Sequence, residues 1–454
     1  MQPATTWKEK IKYNAIYIVL FSIFLIVTIV QGPREYPDSG AYINMTANVA
    51  PLYPLTVAGF RLIFRERLVY ETALAVFQCL LLTLGIRILT ENIGRSFHVQ
   101  KFRLLNAAIL AVPIFMTSFV AVSGLYIPAS ILTEGLSIPL WYFFFAELIS
   151  FVFEKSKKAN LCCWIFIILL TLTRGQFEAD ILLLCIVEII VYRTQIKLIL
   201  PAIGKTIGAF LLVALFTRGY MYAVHGVFAE KINETVTATA NIYFVSTNSD
   251  VDAVPEQYRD LYSEISRRLD EKKYRKEFFS SDIFNCTAGI EKCHDLIKSE
   301  VTMPILNEYL ENNGGMDAYA RDRILGEIAK PILKAHFGQW FYGYICLCLL
   351  GLVRSVAASG RIFYFYAAVI YLSAIVLTIH LLRKKNGGAS VFMLLVLFSI
   401  LTTVSSVSIF IMPLSRYMIY NLPLFYIAGL LELKELKKEG RSETSNQSPF
   451  NANA

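Results

Sequence analysis

Several signatures of soluble enzyme chemistry are missing from this sequence. It has no glycine-rich phosphate loop of the GxxxxGK-Ser/Thr kind, no Rossmann glycine fingerprint and no HExxH zinc motif. A nucleotide-driven reaction therefore finds no support. No spacing among its eight cysteines matches a zinc site. No internal repeat is visible, which weighs against the inverted-repeat architecture of many secondary transporters. Charge is scarce as well: of 454 residues, 17% are charged and 56% are hydrophobic, with a mean hydropathy of +0.52. That is too apolar for an ordinary soluble domain and fits a lipid bilayer.

What is present are long apolar runs. About ten reach the roughly 17–25 residues that a helix needs to cross the hydrocarbon core. Only helices or closed barrels satisfy their backbone in lipid, so helices are expected. The predicted fold is an all-α polytopic transmembrane helix bundle of about 10–12 spans with one large external loop domain. The net charge of +8 does not point to nucleic acid, because Lys and Arg cluster at the ends of apolar runs, where they set topology.

Lys8, Lys10 and Lys12 precede the first run, residues 13–30, and place the N-terminus in the cytoplasm. No small-residue cleavage site follows that run, so it reads as a retained span. Runs at 68–89, 104–122 and 127–153 follow, the last two joined by an external turn "SGLY" and the last closed by Lys155, Lys157 and Lys158. Shorter runs at 161–173 and 177–192 flank "RGQ" as a hairpin reaching the outer face, and a run at 199–222 leads to a long hydrophilic segment. The expected organisation is an N-terminal membrane module (1–224), an external domain (225–337), C-terminal membrane helices (338–440) and a disordered tail (441–454). The run at 341–353 is short for a span, and the charges after it disagree with a simple count of crossings.

Ionisable residues at membrane depth are expensive and mark candidate sites. Asp38 is the lone acid in "PDSGAYINM"; Glu134 lies in "ASILTEGLSIPLW" near an outer helix end; Arg174 caps the outer hairpin; Arg416 follows Pro413; His336 precedes the run after the large loop. All map to the external face. Two acids and two arginines at one level suit a substrate with an anionic group and a hydroxyl to be activated, since Arg forks bind phosphate and a carboxylate accepts a proton. Plainer readings stand beside this one: a turn or cap for Asp38, a buried ion pair for Glu134, head-group anchors for Arg174 and Arg416, a structural His336. Tyr36, Tyr42 and Tyr53 read equally as an interfacial aromatic belt.

Six cysteines fall in apolar runs, where a thiol is usually a small hydrophobe. Cys286 and Cys293 sit seven apart in the hydrophilic segment, close enough in sequence to be bridged if that segment faces an oxidising compartment.

The opening stretch "YPDSGAYI…PLYPLTVAGF", with "LTEGLSIPL", "LTRGQ" and "SRYMIYNLPLF" in that order, resembles the GT-C superfamily of polytopic glycosyltransferases, which includes protein O-mannosyltransferases and lipid A aminoarabinose transferases. The resemblance implies transfer of a sugar from a polyprenyl-phosphate donor to a lipid, glycan or protein acceptor at the outer face, with inversion. It implies Asp38 as general base, Arg174, Arg416 and Tyr417 at the donor phosphate, and Glu134 orienting the acceptor or binding a metal. Tyr36, Ser39, Tyr42, Tyr53 and His336 are then substrate-positioning candidates, and a bacterial plasma membrane is the expected location. Many members carry two adjacent acids in this loop, whereas Ser39 follows Asp38 here, so a divalent metal stays open as a cofactor. Two alternatives remain: an O-antigen ligase or polymerase using a lipid-diphosphate donor, and a transporter or flippase of an anionic lipid or solute.

Overall fold

The computed structural model describes residues 7–120, 126–232, 234–280, 282–313, 315, 317–358, 360–384 and 387–446. The "SGLY" turn lies largely outside them. Among the described residues the chain is helical, and its only β contact is an isolated parallel bridge between Arg34 and Ser130.

The first membrane unit contains α1 (Trp7–Gln31), the short α2 (Ser39–Ile43), α3 (Leu52–Phe64), α4 (Arg67–Ser96), α5 (Arg103–Val120), α6 (Glu134–Glu154), α7 (Lys157–Thr173), α8 (Glu178–Val191) and α9 (Ile196–His225). A helical unit follows: α10 (Glu234–Val245), α11 (Arg259–Lys272), α12 (Ile283–Leu296), a π-helical turn (Ile297–Thr302), α13 (Met303–Asn312) and α14 (Ala318–Ala335). The chain then returns to apolar helices with α15 (Phe337–Val356), α16 (Arg361–Arg383), α17 (Gly388–Phe410), the single turn α18 (Ser415–Met418) and α19 (Leu422–Asn446).

Seven of these helices, α1, α4, α6, α9, α15, α16 and α17, are long and apolar enough to cross a bilayer among the described residues. Apolar side chains cover α1, α9 and α16 on nearly all sides and remain exposed, as lipid-facing helices require. Helix α6 is the opposite case. Buried almost throughout, it forms the centre of the membrane core and packs against α4 and α7. Gly85 permits that approach: a Cβ there would sit 3.2 Å from the Pro139 carbonyl oxygen and the Tyr142 Cβ.

The structure changes several boundaries. The run read as one span at 127–153 is a 3-10 turn (Ile127–Ala129), an irregular stretch and then α6, which starts at Glu134. Pro128, Ser130 and Thr133 break the apolar run with turn chemistry. The run at 341–353 is the inner part of the 20-residue α15. Gly338, Gln339 and Trp340 lower the hydropathy of its first turns and hide the helix start. The C-terminal helix continues to Asn446, past the point where a disordered tail is expected.

The hydrophilic segment has its own core, built on Tyr243, Tyr262, Ile265, Ile297, Leu306 and Leu325, and Cys346 and Leu347 of α15 continue it beyond residue 337. Cys286 and Cys293 both lie on α12, two turns apart, with free thiols. Seven residues of helix rise about 10 Å, beyond the reach of a disulfide, so the bridge expected between them does not form.

Candidate active site

Asp38 is set by a chain of backbone bonds. The Arg34 amide donates to the Ala129 carbonyl (2.8 Å) and the Ile131 amide to the Arg34 carbonyl (3.0 Å), pinning the loop to the segment before α6. Gly32, with φ of +68°, allows the sharp exit from α1 that this needs. The buried Ser39 hydroxyl then accepts from the Tyr36 amide and donates to the Ile131 carbonyl, both at 2.8 Å. Asp38 occupies the N-cap position of α2, yet its carboxylate makes no cap bond. It reaches instead to Arg416, 2.8 Å from Nη2 to Oδ2. The cap reading is therefore right about position and wrong about the side chain.

Glu134 is held equally firmly. Gln78 of α4 donates to the carbonyls of Pro128 (3.0 Å) and Ser130 (3.1 Å) and accepts from the Tyr53 hydroxyl (3.0 Å). The amide fits only because residue 135 is glycine: a Cβ there would lie 2.1 Å from the Gln78 Oε1. Glu134 thus opens α6 at a fixed place. Antiparallel packing brings the C-terminal end of α7 beside it, and Arg174 approaches its Oε1 at 2.6 Å. An acid at a helix N-terminus facing a base at a helix C-terminus is favoured by both helix dipoles. The contact has the geometry of an ion pair more than of an aligned hydrogen bond. Arg416 Nε lies 3.7 Å from the same oxygen, and Thr133 donates to the other at 3.2 Å.

Tyr417 lies under both guanidiniums, 4.4 Å from Arg174 and 4.9 Å from Arg416, and its hydroxyl accepts from Arg416 at 2.9 Å. Asp38, Glu134, Arg174, Arg416 and Tyr417 therefore form one connected cluster. Its acids differ in access. The Asp38 side chain is 48% exposed, that of Glu134 only 2%.

Beside the cluster opens a cavity of about 320 Å³. Tyr42, Thr133, Arg174 and Tyr417 form its cluster-side wall, while Glu178, Lys231 and Lys298 close it from α8 and the hydrophilic helical unit. Asp38, Glu134 and Arg416 are not on that wall and meet the cavity through these neighbours. Tyr42 stacks edge-on against Tyr53 at 5.2 Å, and burial, opposed by Arg174, pushes its hydroxyl above the ordinary phenol range. It is a neutral donor at any physiological pH. The hydrophilic helical unit docks here directly, with the Ile232 amide donating to the Ala47 carbonyl (3.0 Å).

Three expected site residues stand elsewhere. His336 belongs to the hydrophilic helical unit, where Nε2 meets Asp250 at 2.8 Å; as the cap residue before α15 it joins two helices. Tyr36 turns to Arg34 and the backbone of Tyr126. Tyr53 is fully buried behind Tyr42 and supports it through packing. Sequence reading also missed acids. Asp180 in α8 is wholly buried with Thr402 on Oδ1 (2.7 Å), and Glu188 takes Trp164 (3.0 Å), Asn160 (2.9 Å) and Lys205. The apolar residues around them mask all three acids of α8 in any averaged hydropathy.

Among the described residues no group of three or more His, Cys, Asp or Glu side chains is placed to hold a metal ion. Glu134 does not fit a divalent cation, because its carboxylate already faces two guanidiniums.

No protein-family model matches the chain, and no curated protein matches it. Among solved structures it is similar to ArnT from Cupriavidus metallidurans bound to undecaprenyl phosphate, with 12% identity over 93% of this chain and 78% of that one and a TM-score of 0.32. The apo form of the same protein gives 13% identity, coverage of 93% and 77%, and a TM-score of 0.32. Likeness at that level establishes neither a shared activity nor a shared substrate.

Proposed function

We propose that this protein is an integral membrane glycosyltransferase of GT-C type. It moves a sugar from a polyprenyl-phosphate donor to a hydroxyl of a lipid, glycan or protein acceptor at the outer face of a bacterial plasma membrane. The observation that carries this reading is the convergence of Asp38, Glu134, Arg174 and Arg416 on one point beside a cavity.

The roles follow from access and charge. Asp38 is the exposed acid, paired with Arg416 and open to an acceptor, and it takes the role of general base. Glu134, buried against Arg174, orients that guanidinium. Two acids and two arginines compensate each other, so an arriving phosphate needs further cations. Lys231 and Lys298 supply them from the far wall of the cavity. A phosphate competing for Arg416 loosens Asp38 toward the acceptor.

The acceptor oxygen then attacks the anomeric carbon as Asp38 takes its proton, and the bond from that carbon to the phosphate oxygen breaks with inversion. Arg174 and Arg416 stabilise the charge left on the polyprenyl phosphate. Tyr42 donates to a sugar or phosphate oxygen. The test is turnover of labelled polyprenyl-phosphate sugars in membranes carrying wild-type or Asp38→Asn protein. Undiminished transfer by the variant removes Asp38 as base, and preference for a diphosphate donor turns the reading to an O-antigen ligase or polymerase.

A further inference from the structure

We propose that α15, although long and apolar enough to cross the bilayer, lies along the leaflet nearest the Asp38–Arg416 pair, with an apolar stripe seated among the lipids. Both of its ends are tied to the hydrophilic helical unit, which borders the cavity through Lys231 and Lys298. At the N-terminal end His336 meets Asp250 at 2.8 Å, and in the last turn Arg354 meets Glu291 of α12 at 2.7 Å. Arg354 also donates to the carbonyl of Pro413 (3.2 Å), which precedes Arg416 in the same short segment, so the C-terminal end of α15 stands at the level of the cluster. A spanning helix of 20 residues would carry that end about 30 Å away, across the hydrocarbon core.

The packing is crosswise as well. Gln339, Tyr344 and Leu347 share one small pocket with Ser408, and a Cβ on Gly351 would lie 2.9 Å from the Val404 Cγ1 and 3.2 Å from the Pro413 Cβ. From Gln339 to Gly351, about 18 Å of helix, α15 therefore stays over the end of α17 instead of travelling down it. Cys346 and Leu347 turn into the core of the hydrophilic unit. The opposite face is bare: Phe337, Phe341 and Ile345 recur every fourth residue and are 56%, 46% and 40% exposed, with Trp340 stacked on Tyr344 at 5.9 Å beside them. Arg354, the one charge of the helix, is buried against Glu291, so the stripe carries none. An apolar stripe flanked by Trp and Tyr suits the boundary between head groups and acyl chains. Lipid is the occupant because α15 is bonded to a helix that itself faces lipid: Tyr371 of α16 donates to the Leu352 carbonyl (3.2 Å), and α16 exposes Ile362, Phe365 and Leu372.

This placement reconciles the charges with the count of crossings. With α15 on the surface, α16 leaves from the cluster side, Arg383 and Lys384 mark its far end, and α17 returns to Pro413. Helix α19 then takes Lys434 to the far side, where its Nζ donates to the His98 carbonyl (3.3 Å) just past α4. Basic residues at the ends of α4, α16 and α19 thus share one side, as the charge rule for topology requires.

The test uses the full chain in intact cells and in inverted membrane vesicles, treated with a membrane-impermeant maleimide and read against the native cysteines. Ser263→Cys reports the hydrophilic unit, Arg361→Cys the start of α16 and Arg383→Cys its end; all three positions are exposed. The expected result is reaction of Ser263→Cys and Arg361→Cys from one side and of Arg383→Cys from the other. Reaction of Ser263→Cys and Arg361→Cys from opposite sides means that α15 crosses, and it overturns the proposal. The lipid seat is read with p-benzoylphenylalanine at Phe341, and at Leu372 of α16 as the lipid-facing reference. Irradiation of the membranes should give a phospholipid adduct at both positions. An adduct at Leu372 alone, or a Phe341 adduct to a second copy of this chain or to another protein, overturns the seat.

Discussion

Arg416 holds Asp38 at 2.8 Å although 378 positions separate them in the chain. The arginine simultaneously touches Glu134 and the Tyr417 hydroxyl, so it links the exposed acid to the buried one. Arg416→Lys keeps one charge but loses the planar fork that reaches all three. Transfer activity should fall about 10²-fold or more in this variant, read as kcat/KM with the donor. The full chain should still fold, judged by an unchanged gel-filtration profile.

Asp38→Asn removes the general base of the proposed function with little change in size. Loss of such a group costs typically about 10²–10⁴ in rate. The expected outcome is a collapse of kcat with donor KM little changed. A rise in KM with kcat intact assigns Asp38 to binding instead.

Lys298→Gln tests the far wall of the cavity. It should raise the donor KM by roughly tenfold, the size of one screened phosphate contact, and Lys298→Arg should restore most of it. The salt dependence of KM should flatten in the Gln variant. A change in kcat alone contradicts the assignment.

Gly135→Ala tests the support beneath Glu134. The added methyl meets the Gln78 amide at 2.1 Å and must displace it from Pro128, Ser130 and Tyr53. A loss of about 1–3 kcal/mol follows from overpacking alone, and the thermal midpoint should drop by several degrees. Activity should decline with it, because the displaced segment carries Glu134.

Acid should loosen the hydrophilic helical unit through His294. Its Nδ1 meets Asn241 Oδ1 at 2.9 Å in a buried setting, and burial pushes the imidazole down to about 4, with Asp295 opposing and Lys298 assisting. A depressed histidine contributes fully above the unfolded value of about 6.5 and loses its contribution as pH falls toward 4. Proteolysis of residues 225–337 in the full chain should accelerate across that window. His294→Gln should flatten the dependence.

The parts of the site legible in the sequence were those where physics leaves a one-dimensional trace. Asp38, Glu134, Arg174 and Arg416 stand out because each is an ionisable residue close to the end of an apolar run, and the structure does bring them together. Tyr417 follows from its place beside Arg416. Lys298 left no such trace: it lies among other charges in a hydrophilic segment, and the π-helical turn that carries it has no sequence signature. His336 misled because a polar residue before an apolar run looks the same whether it faces a cavity or, as here, Asp250. The helix count was blurred by α7 and α8, at 17 and 14 residues too short for the usual span yet packed in the membrane core.

The distance in sequence between Asp38 and Arg416 bears on biogenesis. Asp38 leaves the ribosome long before Arg416, so no truncated or stalled chain that stops before residue 416 contains the cluster. Assembly of the cluster is thereby deferred until the helices preceding Arg416 have been inserted and packed. On the proposed function, a half-built copy in the bilayer is inert toward lipid-linked sugars.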